Sequence, residues 1–170
     1  MPRSRIAPLA SIALVALLSA SAMAEPLWQA ELRLGYGIAV GGNGARMSTR
    51  PTPLTIAADV LFAFNEDPPL WGYGGLVVET LDRNSVGTVF GVQLRPHDSR
   101  LRFTGGGVWL VAPYMLFGAT ASGGACMHAT RLLNVCGDVQ LTAYVAGNDL
   151  ADGRTVTQAQ FMLGMVFDAL

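Results

Sequence analysis

From Trp28 onward the chain alternates apolar and polar positions in long runs. Trp28, Ala30, Leu32, Leu34, Tyr36, Ile38 and Val40 fall on one phase, and Gln29, Glu31, Arg33, Gly35, Gly37 and Ala39 on the other. Near the C-terminus, Val135, Val139, Leu141, Ala143 and Val145 alternate with Cys136, Asp138, Gln140 and Thr142. A two-residue period is that of a strand with two chemically different faces. The pattern predicts strands over 28–40, 54–65, 71–81, 86–95, 101–111, 114–129, 133–147 and 154–170. Turn-forming residues punctuate them, among them Glu66-Asp67-Pro68-Pro69 and Ala112-Pro113. The polar, glycine-bearing stretch from Gly41 to Pro53 is the longest predicted connection. Segment 71–81 is the least regular, because Trp71, Tyr73 and Val77 share a face with Glu79. A bulge at Gly74-Gly75 would restore its register.

Strands of ten or more residues exceed the soluble average of about 5–6. They match the roughly 9–11 residues that a tilted strand needs to cross a bilayer. An even number lets the sheet close with both chain ends on one rim. The expected fold is all-β, an eight-stranded antiparallel up-and-down transmembrane β-barrel. It forms one domain over residues 25–170, since no repeat or linker divides the chain.

The first 24 residues predict export. Arg3 and Arg5 precede an apolar run from Ile6 to about Ala20, and Ala22-Met23-Ala24 is a small-x-small cleavage site. Cleavage would leave Glu25 as the first residue. Of the 11 basic residues, removing Arg3 and Arg5 leaves 9 against 12 acidic ones. No lysine is present. With no basic patch, nucleic acid is not an expected partner. Charged residues are 14% of the chain, against a usual share of about 25%.

The orientation of the two faces follows from the cost of placing charge in lipid. The polar phase carries Glu31, Arg33, Asp59, Arg95, Arg102 and Asp138, expected to form one shared ionic network inside the barrel. An arginine facing the bilayer midplane would cost about 2–4 kcal/mol. The apolar phase, with Tyr36 and Trp109, is then expected to meet membrane lipids. Trp28, Phe64, Trp71, Tyr73, Phe103 and Phe167 cluster near the terminus-bearing rim, where an aromatic girdle would lie. An eight-stranded barrel has an interior that side chains just fill, so a packed lumen is expected. A secreted soluble barrel with its apolar face inward and a small apolar ligand bound is the alternative that periodicity leaves open.

The export signal, the strand count and the last strand, Gln158 to Phe167 with Gly164, together resemble small outer-membrane β-barrels of the OmpX and OmpW type. That resemblance implies the cell outer membrane, delivery by the outer-membrane insertion machinery and a monomer. The chain departs from the pattern at its end, where Asp168-Ala169-Leu170 follows Phe167. Proteins of this architecture do many different things, so a structural, small-solute or surface role is all that the resemblance implies.

Candidate chemistry is sparse. Cys126 and Cys136 are the two cysteines, and both fall on the polar phase. A turn centred on Arg131 places them opposite each other, and an export compartment permits a disulfide. No metal or cofactor is expected, since His128 alone stands near the cysteines. His97-Asp98-Ser99 has a His-x-Ser spacing similar to that of outer-membrane lipid A deacylases, which keeps a lipid-modifying enzyme as a further alternative. It lies in a turn, however, at the periplasmic rim of the expected barrel. Ser122 and His128 are six residues apart, roughly 20 Å along a strand. Gly105-Gly106-Gly107 and Gly123-Gly124 are read as sites of curvature and close packing. An enzyme is not the expected reading.

Overall fold

The computed structural model describes residues 28–168 apart from 44, 45, 67, 68, 82, 83, 97, 98, 114, 131, 149 and 151–154. The described residues form nine strands: β1 (Trp28–Asn43), β2 (Arg46–Pro51), β3 (Leu54–Glu66), β4 (Pro69–Thr80), β5 (Ser85–Leu94), β6 (Leu101–Ala112), β7 (Leu116–His128), β8 (Leu133–Gly147) and β9 (Thr155–Asp168). All pairs are antiparallel: β1 pairs with β2 and with β3, β3 to β9 follow one another in chain order, and β1 pairs with β9 from Gln29↔Asp168 to Gly42↔Thr155. The sheet is thereby closed. Closure satisfies the backbone of every wall strand without a free edge.

The extra strand lies where the sequence predicts a connection. β1 leaves β3 after Gly35↔Thr55 and continues against β2, from Ile38↔Pro51 to Asn43↔Arg46. β2 and β3 lie along the same edge of β1 and are interrupted at Thr52-Pro53. A proline cannot donate to the ladder, so the break falls there. Thr52 bridges the gap instead, its backbone N–H donating to the Gly37 carbonyl at 2.9 Å and its Oγ1 accepting from Gly37 N–H at 2.8 Å. β2 and β3 thus act as one wall segment, and the barrel is eight-stranded.

The expected bulge at Gly74-Gly75 is absent. β4 pairs with β3 without a break through Asp59↔Gly75 and Val60↔Gly74, and the irregularity lies instead between Ala63 and Asn65. Tyr73, Val77 and Glu79 all point inward and are buried. Their shared phase looked irregular only because the interior holds apolar as well as polar side chains. Tyr73 is accordingly no part of an outer aromatic girdle.

The faces are sorted by chemistry. Leu34, Val60, Leu141 and Phe161 point outward at 47%, 39%, 53% and 56% exposure. Glu31, Arg33, Asp59, Arg102 and Asp138 are all buried inside. A soluble barrel with an apolar interior around a ligand requires the reverse arrangement, so that alternative does not hold for this fold. Trp28, Phe103 and Phe167 remain outward near the terminus-bearing rim, and Tyr36 and Trp109 are also outward.

Candidate functional site: the barrel interior and its mouth

Two arginines organise the interior near the terminus-bearing rim. Arg33 on β1 donates from Nε and Nη2 to Asp59 Oδ2 on β3, at 2.8 and 2.5 Å. Its Nη1 reaches Gln140 Oε1 on β8 at 3.5 Å, and its guanidinium lies 5.7 Å from the Tyr73 ring centre. Arg102 on β6 donates from Nε to Asp138 Oδ1 on β8 at 2.7 Å and from Nη2 to the other carboxylate oxygen. Its Nη1 sits 2.7 Å from Glu31 Oε1 on β1, an ion pair too poorly aligned to count as a directed hydrogen bond. The Arg102 triad thus ties three strands of the closed wall across the lumen. Buried charges of this kind persist only when paired, because desolvation costs several kcal/mol per ion.

Arg95 lies at the rim. It follows the last residue of β5, is half-buried at the rim, and stacks 4.8 Å from the Trp71 ring centre. At the rim its guanidinium keeps contact with water while its face covers an aromatic ring.

The far half of the lumen is closed differently. Ala57, Val77, Val108, Leu110, Leu116 and Tyr144 form a buried cluster, with Leu150 packed on it. Within it Glu79 accepts from Ser85 Oγ at 2.8 Å and from Tyr144 OH at 3.1 Å. Between the two halves run hydroxyl and amide links, including Gln160 Nε2 to Thr55 Oγ1 at 2.8 Å and Thr104 with Ser122 at 2.6 Å. The open space left in this region is about 20 Å³, on the scale of a single water. The phase of Gln160 places it on the inward face, whereas Glu79 and Tyr144 are polar interior groups outside the expected network. The signal available was the phase of Glu79, a lone carboxylate within a long strand.

Inward glycines make room for these groups. Gly75 and Gly124 lie against the Asp59 and Asp138 carboxylates, and Gly91 and Gly106 lie beneath the Tyr73 hydroxyl. A Cβ at Gly164 would stand 2.8 Å from Glu31 Oε1 and 3.2 Å from Arg102 Nη2. Glu31 Oε1 is held by Arg102 Nη1, and Arg102 Nη2 by Asp138. Gly164→Ala should therefore cost roughly 1–3 kcal/mol of stability, read as a lower urea midpoint for unfolding from lipid vesicles. An unchanged midpoint would show that the triad has slack.

Cys126 and Cys136 are directly paired across β7 and β8 and form a disulfide, with Cα atoms 4.0 Å apart. Arg131, the expected turn centre, lies outside the described residues. The register is nevertheless mirrored about it, running from Ala125↔Gly137 to His128↔Asn134. Both cysteines are on the inward phase. The closed loop is short, so replacing both cysteines by serine should cost only about 2–3 kcal/mol. Thiol titration of the unreduced, unfolded protein should find no free thiol, and two would contradict the pairing.

His97 and Asp98 lie outside the described residues. Ser99 is exposed at the terminus-bearing rim, where its Oγ accepts from Leu101 N–H at 2.9 Å. Ser122 is tied to Thr104, not to His128. Among the described residues no group of three or more His, Cys, Asp and Glu side chains could hold a metal.

No family model matches the chain, and no curated protein matches it in sequence. Its fold is that of a known solved barrel. Neisserial surface protein A superposes with a TM-score of 0.52 at 7% identity, covering 84% of this chain and 97% of that one. The attachment invasion locus protein of Yersinia pestis superposes at 0.45 with 10% identity, covering 82% and 98%. A de novo designed protein, TMB2.3, superposes at 0.44 with 11% identity, covering 88% and 99%. The chain has the eight-stranded architecture of small outer-membrane barrels.

Proposed function

We propose that this chain is an outer-membrane β-barrel protein with a structural role, surrounded by membrane lipids and acting as a monomer. Residues 1–24 would be its export signal, residues 25–170 its single domain, and the outer-membrane insertion machinery its route into the bilayer. The observation that carries this reading is the inverted surface. Leucines, phenylalanines and valines cover the outside at mid-strand, while arginines and carboxylates are paired inside. In water such a surface would aggregate, whereas in a bilayer it is the stable arrangement. The packed lumen supports a structural role over solute passage.

Cell fractionation tests the location. The protein should be recovered with outer membranes and should migrate differently on a gel before and after boiling. Recovery in the soluble periplasmic fraction would overturn the proposal. In a planar bilayer the purified barrel should show no porin-like conductance steps, because the described middle of the lumen, between Arg33 and Tyr144, holds only about 20 Å³ of open space.

A further inference from the structure

Closure leaves the wall without an edge, yet one strand rises above the wall. The β3–β4 ladder ends at Leu54↔Thr80 and β5 starts at Ser85, so on that side the wall stops at the β4–β5 turn. β1 and β9 run on together to Gly42↔Thr155. β2 pairs with β1 from Ile38↔Pro51 to Asn43↔Arg46, and among the described residues no strand pairs with its other edge. From Thr52 back to Arg46 the chain covers roughly 20 Å. The connection between Thr80 and Ser85 is too short to run along β2 and return.

The register says which backbone groups that edge offers. Gly37 and Thr52 form a hydrogen-bonded pair, with Thr52 N–H donating to the Gly37 carbonyl and Gly37 N–H to Thr52 Oγ1. Bonded and non-bonded pairs alternate along an antiparallel ladder. Arg50 and Ser48 therefore turn their backbone groups towards β1, and Thr49 and Met47 turn theirs to the open edge. Pro51, which has no N–H, ends that edge. Thr49 and Arg50 are exposed. Such an edge accepts an extended segment as one more strand, main-chain bonds giving the affinity and side chains the choice of partner.

Charge decides which segment fits. β2 reads Arg-Met-Ser-Thr-Arg-Pro, with two cations and no carboxylate, and no acidic residue occurs from Gly41 to Pro53. A second copy is a poor occupant. Pairing two such edges through Met47 and Thr49 at fullest overlap sets position 46 opposite position 50 of the other copy, arginine against arginine, and like charges directly opposite destabilise a ladder. We propose that the outer edge of β2 binds an extended acidic segment of another protein by antiparallel strand addition. The Met47 and Thr49 backbones carry the ladder, and carboxylates four residues apart on the partner meet positions 46 and 50. This rim is the one opposite the chain termini, so the outer-membrane reading would turn it away from the cell, but the binding itself does not rest on that reading.

The folded full-length barrel in an uncharged detergent is titrated with the peptide acetyl-Thr-Glu-Val-Thr-Val-Glu-Thr-amide. Binding is followed by NMR as hydrogen exchange at the Met47 and Thr49 amides, and the expected result is a saturable slowing at both. A peptide N-methylated at the valine opposite Thr49 keeps the charges but loses a ladder bond, and should bind at least about tenfold more weakly. Thr49→Pro removes an outward N–H without touching the β1–β2 ladder, and should weaken the unmodified peptide to a similar degree. Arg50→Glu should also weaken it, and should admit a version with lysine in place of glutamate. Thr49 and Arg50 are exposed, so both variants should keep the heat-dependent gel shift of the folded barrel. No saturable slowing, or equal binding of the lysine peptide by the unmodified protein, would overturn the proposal. Undiminished binding of the N-methylated peptide would reduce it to charge attraction and overturn it as well. Slowing that appears without peptide and grows with protein concentration would put a second copy on the edge instead.

Discussion

Arg102→Met should cost about 3–5 kcal/mol or abolish folding, making it the most damaging single change in the interior. Arg102 is 2% exposed and holds Glu31 on β1 and Asp138 on β8. Removing the guanidinium leaves two carboxylates inside the wall with no cation between them. Most of the loss comes from that uncompensated charge rather than from the ion pairs themselves. The triple variant Arg102→Met with Glu31→Gln and Asp138→Asn should therefore recover much of the stability. Urea unfolding from lipid vesicles measures both. If the single variant unfolds at the wild-type midpoint, the triad does not hold the wall together. If the triple variant is as weak as the single one, packing of the arginine stem, not charge pairing, carries the effect.

Leu141→Arg should cost about 2–4 kcal/mol in a bilayer. Leu141 is 53% exposed, midway along β8, and flanked by Ala121 on β7 and Ala159 on β9. In water, an exposed leucine on a strand can become arginine at little cost, within roughly 0.5 kcal/mol. In a membrane, the guanidinium must snorkel or drag water into the hydrocarbon. Leu81→Arg is the matched control, because Leu81 is 80% exposed at the β4–β5 turn and should tolerate the charge. Equal, small effects at both positions would mean that β8 faces water.

The wall of this barrel was readable in the sequence because period-two alternation is a local property. The predicted segment 28–40 became β1, and 133–147 coincides with β8. Alternation also fixed which residues share a face, so Cys126 and Cys136 could be set opposite each other before their pairing was known. What local pattern does not carry is the content of the inward face. Tyr73, Val77 and Leu110 are apolar or aromatic residues turned inward, because a lumen this narrow is filled like a core wherever ion pairs do not reach. Apolar character alone therefore misplaced Tyr73 and prompted a bulge that β4 does not need.

Two other features depend on long-range geometry. β2 does not stand out in the sequence because Arg46–Pro51 is short, polar and ends on a proline, and only its pairing with β1 makes it a strand. Arg95 shares the phase of Gln93 and was grouped with the buried charges. Its place one residue beyond the end of β5 puts it at the rim on Trp71. The partners of Arg33 and Arg102 likewise depend on which strands lie across the lumen. That is a property of closure between β1 and β9, not of any single strand.

The central claim is that the apolar phase faces lipid and the polar phase is sealed inside. Because the native cysteines are tied in a disulfide, a cysteine introduced at Phe161 can carry a single spin label. The labelled protein, inserted in vesicles, is then exposed to oxygen, which concentrates in hydrocarbon, and to a water-soluble nickel chelate. Phe161 lies midway along β9 at 56% exposure, so its label should collide readily with oxygen and hardly at all with nickel. Strong nickel accessibility at that position, or a label immobilised and shielded from both reagents, would contradict the account.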